Sequence, residues 1–154
     1  MAFFQGTYQY SLDEKGRVSI PAKFRKPDES TTYDIFVITR GLDGCLFVYP
    51  VSEWEKVREK MREQPYTQRK TRLYERYVFP NTTEAELDKQ GRIAIPQHLL
   101  DYAQIKKEVK ILGVLERIEI WDPEVYNEYL AKAEMSYEDV AEELFPWEEN
   151  PKKE

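Results

Sequence analysis

Two arginines, each four residues after an aspartate, are the side chains of this sequence best suited to act on a partner. Asp13 and Arg17 bracket the run DEKGR, and Asp88 and Arg92 bracket DKQGR. A guanidinium is a planar fork that can donate two hydrogen bonds to guanine O6 and N7, whereas an ammonium acts more as a point charge on phosphate. A neighbouring aspartate would hold that fork in one orientation and so reduce the entropy lost on binding. The same spacing also suits an Asp–Arg pair that only staples each turn, and spacing alone does not choose between the two. Lys15, Lys89, Lys23 and Arg25 lie close by in the sequence and are the candidate phosphate contacts. Catalysis has little to work with. His98 is the only histidine, and no Ser, Cys or carboxylate spacing around it suggests a nucleophile or a metal site. No catalytic residue, metal or cofactor is expected, and His98 reads as a partly exposed helix residue.

The elements that must position these arginines are themselves repeated. Leu12 to Pro21 (LDEKGRVSIP) returns as Leu87 to Pro96 (LDKQGRIAIP), at a constant offset of 75. A ten-residue run with Leu, Asp, Gly, Arg, Ile and Pro all in register is a duplication signal. In each copy Asp can accept hydrogen bonds from the amides just after it, and Gly16 or Gly91 supplies the positive φ of a tight reversal. The residues that follow alternate as in a half-buried strand. Val18 and Ile20 face one way and Arg17 and Ser19 the other, as do Ile93 and Ile95 against Arg92 and Ala94. Pro21 and Pro96 end the strands and suit the first turn of short helices over Ala22 to Lys26 and Gln97 to Tyr102.

The rest of the chain completes two such units. Phe4 to Leu12 reads as a first strand with Phe4, Gly6, Tyr8 and Tyr10 on one parity. Tyr33 to Thr39 and Cys45 to Tyr49 read as a hairpin turning at Gly41 to Gly44. Val109 to Leu112 and Arg117 to Trp121 play the same parts around Gly113, at an offset of 72. Between the copies, Ser52 is the expected cap of a helix with Trp54, Val57 and Met61 on one face. Pro65 breaks it, and Thr67 to Phe79 forms another with Leu73, Tyr77 and Tyr74 as its apolar stripe. The many charges of this connector read as a solvated face. Asp122-Pro123-Glu124 caps a helix to about Ala133, Ser136 starts a last amphipathic segment, and the end beyond Trp147 is expected to fray. The organisation is a first unit over residues 6–53, a helical connector over 54–80, a second unit over 81–125, and C-terminal helices with an acidic tail over 126–154.

The net charge of −6 would disfavour a nucleic-acid partner if it were evenly spread. It is not. Eight acids and two lysines from Glu134 onward account for all of it, leaving the first 133 residues neutral and residues 1–27 at +3. Binding responds to local potential within about 10 Å at ordinary salt, so the acidic total does not exclude DNA. The single cysteine, Cys45, makes no internal disulfide. No apolar run approaches membrane-spanning length and Met1 to Phe4 lead into polar Gln5, so a cytoplasmic protein without a membrane partner is expected.

The paired LDxxGRxxIP units, with RGLDGCLFVYPVSEW over Arg40 to Trp54 and IEIWDPEVY over Ile118 to Tyr126, resemble the MraZ family of bacterial transcriptional regulators. The likeness runs from Phe4 to about Leu130. It implies an α+β fold: a duplicated swapped-hairpin AbrB-like β-barrel, a pseudo-dimer of two SpoVT/AbrB-type half-units in one chain, with connecting and C-terminal helices. It further implies a nucleoid-associated, sequence-specific binder of double-stranded DNA. The family assembles as a homo-oligomeric ring and recognises G-rich direct repeats upstream of the cell-division and cell-wall gene cluster. Its arginines map to Arg17 and Arg92, with Asp13 and Asp88 as orienting partners; no small-molecule substrate is implied. The second copy departs from the first, with Gln90 for Lys15 and Gln97, His98 and Leu99 for Ala22, Lys23 and Phe24, so stronger binding is expected from the first unit. A structural or protein-binding ring without DNA is the rival reading, and would tolerate Arg17→Ala.

Overall fold

A computed structural model of the chain describes residues 3–146, and in it the two copies are woven into one α+β body. Eight strands, β1 (Phe4–Ser11), β2 (Arg17–Ser19), β3 (Ile35–Arg40), β4 (Leu46–Pro50), β5 (Thr83–Glu86), β6 (Arg92–Ala94), β7 (Glu108–Leu115) and β8 (Arg117–Trp121), form two sheets. The larger runs β1-β7-β8-β4-β3-β5, and the smaller is a ribbon of β2 and β6. All pairs are antiparallel. The first copy's β1 pairs only with the second copy's β7, and the second copy's β5 only with the first copy's β3. Exchange of strands between the halves is therefore present, but the expected closed barrel is not. The six-stranded sheet keeps two edges, β1 and β5, and the β2–β6 ribbon stands as a separate sheet against its inner face.

Alternation along the strands explains the layers. Phe36 and Ile38 of β3 turn inward and Val37 outward. The inner cluster joins Ile38, Leu46, Val48, Ile111, Ile118 and Ile120 of the sheet to Val18 and Ile93 of the ribbon. It also holds Phe24 of helix α1 (Ala22–Arg25) and Leu99 of helix α4 (Gln97–Tyr102). Each such side chain contributes about 1.5–3 kcal/mol by leaving water. The ribbon that carries both arginines is thus fixed by a core drawn from both copies. On the outer face, helices α2 (Val51–Arg62) and α3 (Arg69–Val78) pack through Trp54 and Val78 on Val37. Helix α5 (Pro123–Ala131) packs through Val125 and Tyr126 on Cys45, Leu112 and Trp121. The last helix, α6 (Tyr137–Leu144), buries no residue.

Several local expectations change. Helix α2 begins at Val51 directly after Pro50, with no side-chain cap, so Ser52 lies in its first turn instead of capping it. Proline's fixed φ and missing N–H suit that junction without a cap. The second hairpin turns at Leu115, whose φ is +60°, and Gly113 lies inside β7 facing Gly6. Glycine is needed there because a Cβ would come within 2.3 Å of the Gln5 amide nitrogen. Helix α3 starts at Arg69 and passes into a 3-10 turn over Phe79–Asn81. Its stripe of Leu73, Tyr74 and Tyr77 is exposed, while Thr71 and Val78 are buried. The segment beyond Trp147 lies outside the described residues.

Candidate nucleic-acid interface

The two Asp-to-Gly turns fold through local hydrogen bonds. Asp13 Oδ1 accepts from the Lys15 and Arg17 amides, each at 2.9 Å, and Asp88 Oδ1 accepts from Gln90 at 2.8 Å and Arg92 at 2.9 Å. Gly16 and Gly91 close the turns at φ +74° and +76°. Each aspartate's second oxygen is left for its own arginine. Arg17 Nε donates to Asp13 Oδ2 at 2.6 Å, and Arg92 Nε to Asp88 Oδ2 at 2.9 Å.

Antiparallel pairing of the ribbon, with Arg17 opposite Ala94 and Arg92 opposite Ser19, brings the two copies of this pair together. Arg92 Nη1 also donates to Asp13 Oδ2 at 3.3 Å, and Arg17 Nη1 lies 3.9 Å from Asp88 Oδ2. The result is a crossed cluster of two guanidinia and two carboxylates, each side chain about one-quarter to one-third exposed. The backbone N–H of Arg17, helped by its side chain and by the Lys15 amide, pulls the Asp13 carboxyl down to about 2. The Arg92 amide lowers Asp88 in the same direction. Both carboxylates therefore stay ionised at neutral pH, and the cluster carries no net charge. Long-range attraction of an anionic partner must come from the residues around it.

Those residues are divided differently from their order in the sequence. Lys15, Lys89 and Lys23 are exposed. Arg25 is half-buried: its Nε donates to the Ile20 carbonyl at 2.8 Å, and its guanidinium lies so close over Gly91 that a Cβ there would come within 2.8 Å of Cζ. A first-copy arginine thus packs on the second copy's turn. At the equivalent place Leu100 packs on Gly16. The first copy's cations are consequently shared between both ends of the ribbon.

One cation was missed. The Leu12 amide donates to the Lys107 carbonyl at 2.7 Å, which places Lys107 in an open concavity of about 410 Å³ with Asp13, Glu14, Lys15, Arg17 and Arg92. The counterpart bond runs from the Leu87 amide to the Asp34 carbonyl at 2.8 Å, so an acid replaces the lysine at the other turn. Lys107 sits 90 residues from Arg17 in the numbering, and only the exchange of strands between copies brings it there. Lys106 pairs instead with the buried Asp122 at 3.7 Å. His98 is exposed on α4, and the buried Cys45 thiol is pushed far up by desolvation. Among the described residues there is no group of three or more His, Cys, Asp or Glu that could hold a metal. Nor, among them, is any helix long and apolar enough to cross a membrane.

Comparison with known proteins gives consistent matches. The family model described as "MraZ protein, putative antitoxin-like" matches residues 3–77 and again 78–146, one match per copy. The "Transcriptional regulator MraZ" of Natranaerobius thermophilus is 49% identical over 141 residues, covering 92% of this chain and 96% of its own. That of Halothermothrix orenii is 49% identical over 138 residues, covering 90% and 94%.

Proposed function

The chain belongs to the MraZ family, and from that premise we propose that it is a transcriptional regulator which binds double-stranded DNA through the face carrying Arg17 and Arg92. It acts as a regulator and not as an enzyme, in keeping with the name its relatives bear. The observation that carries the proposal is the crossed cluster. Two forks one-quarter to one-third open to solvent are held in fixed orientation by carboxylates that cannot themselves take up protons near neutral pH.

In this reading the two guanidinia approach guanine O6 and N7 in the major groove, and Lys15, Lys89, Lys23, Arg25 and Lys107 meet phosphates on either side. Asp13 and Asp88 keep the forks aimed between binding events. So few contacts give weak, salt-sensitive binding per chain. Assembly into a homo-oligomeric ring that engages several G-rich direct repeats, upstream of the cell-division and cell-wall genes, raises affinity through effective concentration. Head-to-tail protomers would meet direct rather than inverted repeats. Such a protein works in the cytoplasm at the nucleoid. The half-units are of the SpoVT/AbrB type, and the exchanged strands and crossed ribbon support that kinship.

The test is binding to a promoter fragment with repeated G-rich boxes, measured at several salt concentrations for wild type, Arg17→Ala and Arg92→Ala. Both variants are expected to bind more weakly and with a shallower salt slope. Equal, salt-insensitive binding by all three would reject DNA recognition and leave the ring scaffold as the better reading.

A further inference from the structure

Two helices on this chain present uncovered apolar faces of opposite charge. Helix α3 exposes Leu73, Tyr74 and Tyr77, which are 46%, 44% and 52% accessible and lie on adjacent turns. Around them stand Arg69, Lys70, Arg72 and Arg76 against the single acid Glu75, a balance of +3 over the helix. A concavity of about 310 Å³ opens beside Tyr74, lined by Met61, Gln64, Lys70 and Thr71. Helix α6 exposes Tyr137, Val140 and Leu144 at the i, i+3, i+7 spacing of one face. It carries Glu138, Asp139, Glu142 and Glu143 and no cation, a balance of −4.

An eight-residue helix that buries nothing is marginal in water, since isolated helices below about 12–15 residues rarely hold. Helix α6 nevertheless has a formed cap, with the Asp139 amide donating to Ser136 Oγ at 3.1 Å. Such a segment fits a surface elsewhere, and α3 offers the matching stripe, a recess and the opposite charge.

We infer that α6 of one copy docks along α3 of a second copy, with Tyr137 in the recess beside Tyr74 and the four acids facing Arg69, Lys70 and Arg76. This rests on the self-assembly part of the proposed function and names the surfaces that would carry it. Donor and acceptor are different patches, so a copy can give α6 to one neighbour and accept α6 from another. A contact of this heterologous kind propagates head to tail and closes when the rotation permits. Complementary charge fixes the register and speeds encounter, while the apolar seam supplies adhesion.

The full-length chain is the material for the test. Leu73→Cys and Val140→Cys are made in separate chains, with the buried Cys45 left in place, and the two are mixed and mildly oxidised. A covalent dimer is expected in the mixture and not in either chain alone. Independently, Glu142→Lys/Glu143→Lys should raise the concentration needed for half-assembly roughly tenfold at low salt. Adding Lys70→Glu/Arg76→Glu to that same chain should restore it, with light scattering reporting mass and circular dichroism confirming that each variant is folded. A wild-type chain that stays monomeric at every concentration overturns the self-assembly reading together with this one. An oligomer that gives no 73–140 cross-link and ignores the charge reversal overturns this interface alone. So does a chain carrying both Leu73→Cys and Val140→Cys that forms this disulfide within itself at high dilution.

Discussion

Replacing Asp13 with Asn separates the aiming of the arginines from their charge. Asp13 uses Oδ1 for the Lys15 and Arg17 amides and Oδ2 for Arg17 Nε and Arg92 Nη1. An asparagine whose oxygen keeps the two amide bonds must place its NH₂ where Oδ2 was, a donor facing two donors. Arg92 retains Asp88 at 2.9 Å, but Arg17 is left with only the 3.9 Å approach to Asp88, so Arg17 loses its orientation first. A bidentate arginine–guanine pair is worth about 1–3 kcal/mol of discrimination, or roughly 5- to 150-fold. With one fork freed and the other still held, the preference for a G-rich site over a scrambled one should fall by about 5- to 20-fold. The variant also carries one fewer negative charge beside the phosphates. Its affinity for scrambled DNA at low salt should therefore hold or rise. Competition anisotropy with both duplexes, at three or more salt concentrations, reads the two effects separately. A folded variant with an unchanged preference would refute the aiming role. Parallel loss on both duplexes with a lowered Tm would make the aspartate a staple of the turn.

Three other perturbations follow from the same geometry. Because folding depresses the Asp13 carboxyl from its ordinary 3.8 to about 2 and lowers Asp88 in the same direction, their contribution to stability is full above the ordinary value and lost as pH falls through the lowered ones. The urea midpoint should drop across that window, and drop less in Asp13→Asn/Asp88→Asn. Gly113→Ala drives a Cβ into the β1 backbone, and at about 1–3 kcal/mol for overpacking should lower the urea midpoint clearly, whereas Gly44→Ala meets only Val125 at 3.7 Å and is strained by its φ of +97° alone. Lys107→Glu should flatten the salt dependence of DNA binding by about one unit of slope, and Asp34→Lys, at the mirrored place, should steepen it by a similar amount.

What could be read from the chain and what could not divide along physical lines. The turns, the ribbon strands and the Asp–Arg pairs are local, set by residues at most four apart, and Asp13, Gly16, Arg17 and their copies announce them. Duplication was legible because six residues of a ten-residue run, Leu, Asp, Gly, Arg, Ile and Pro, repeat in register. The crossing of Arg92 to Asp13 was not, since it depends on how β2 meets β6 across 79 positions. Lys107 was missed for the same reason. The sequence suggests a turn at Gly113 because glycine signals reversal and close approach alike, and only the partner strand tells which applies. The open edges of the larger sheet were not legible either: which strands lie outermost is decided by long-range pairing that alternation does not encode. The stripe on α3 has helical periodicity, yet periodicity marks a face that seeks cover without saying whose.

The weaving of the copies also has a temporal side. Ser11 in β1 meets Glu108 in β7, 97 residues downstream, and β1 has no other neighbour in its sheet. During synthesis the opening strand must therefore wait, unpaired, until most of the polypeptide has left the ribosome. Contacts of such long reach are slow to form and leave the nascent segment open to misassociation. A message truncated between the copies would yield no serviceable half-product, so although the gene looks like two tandem modules, its translation succeeds or fails as a single event.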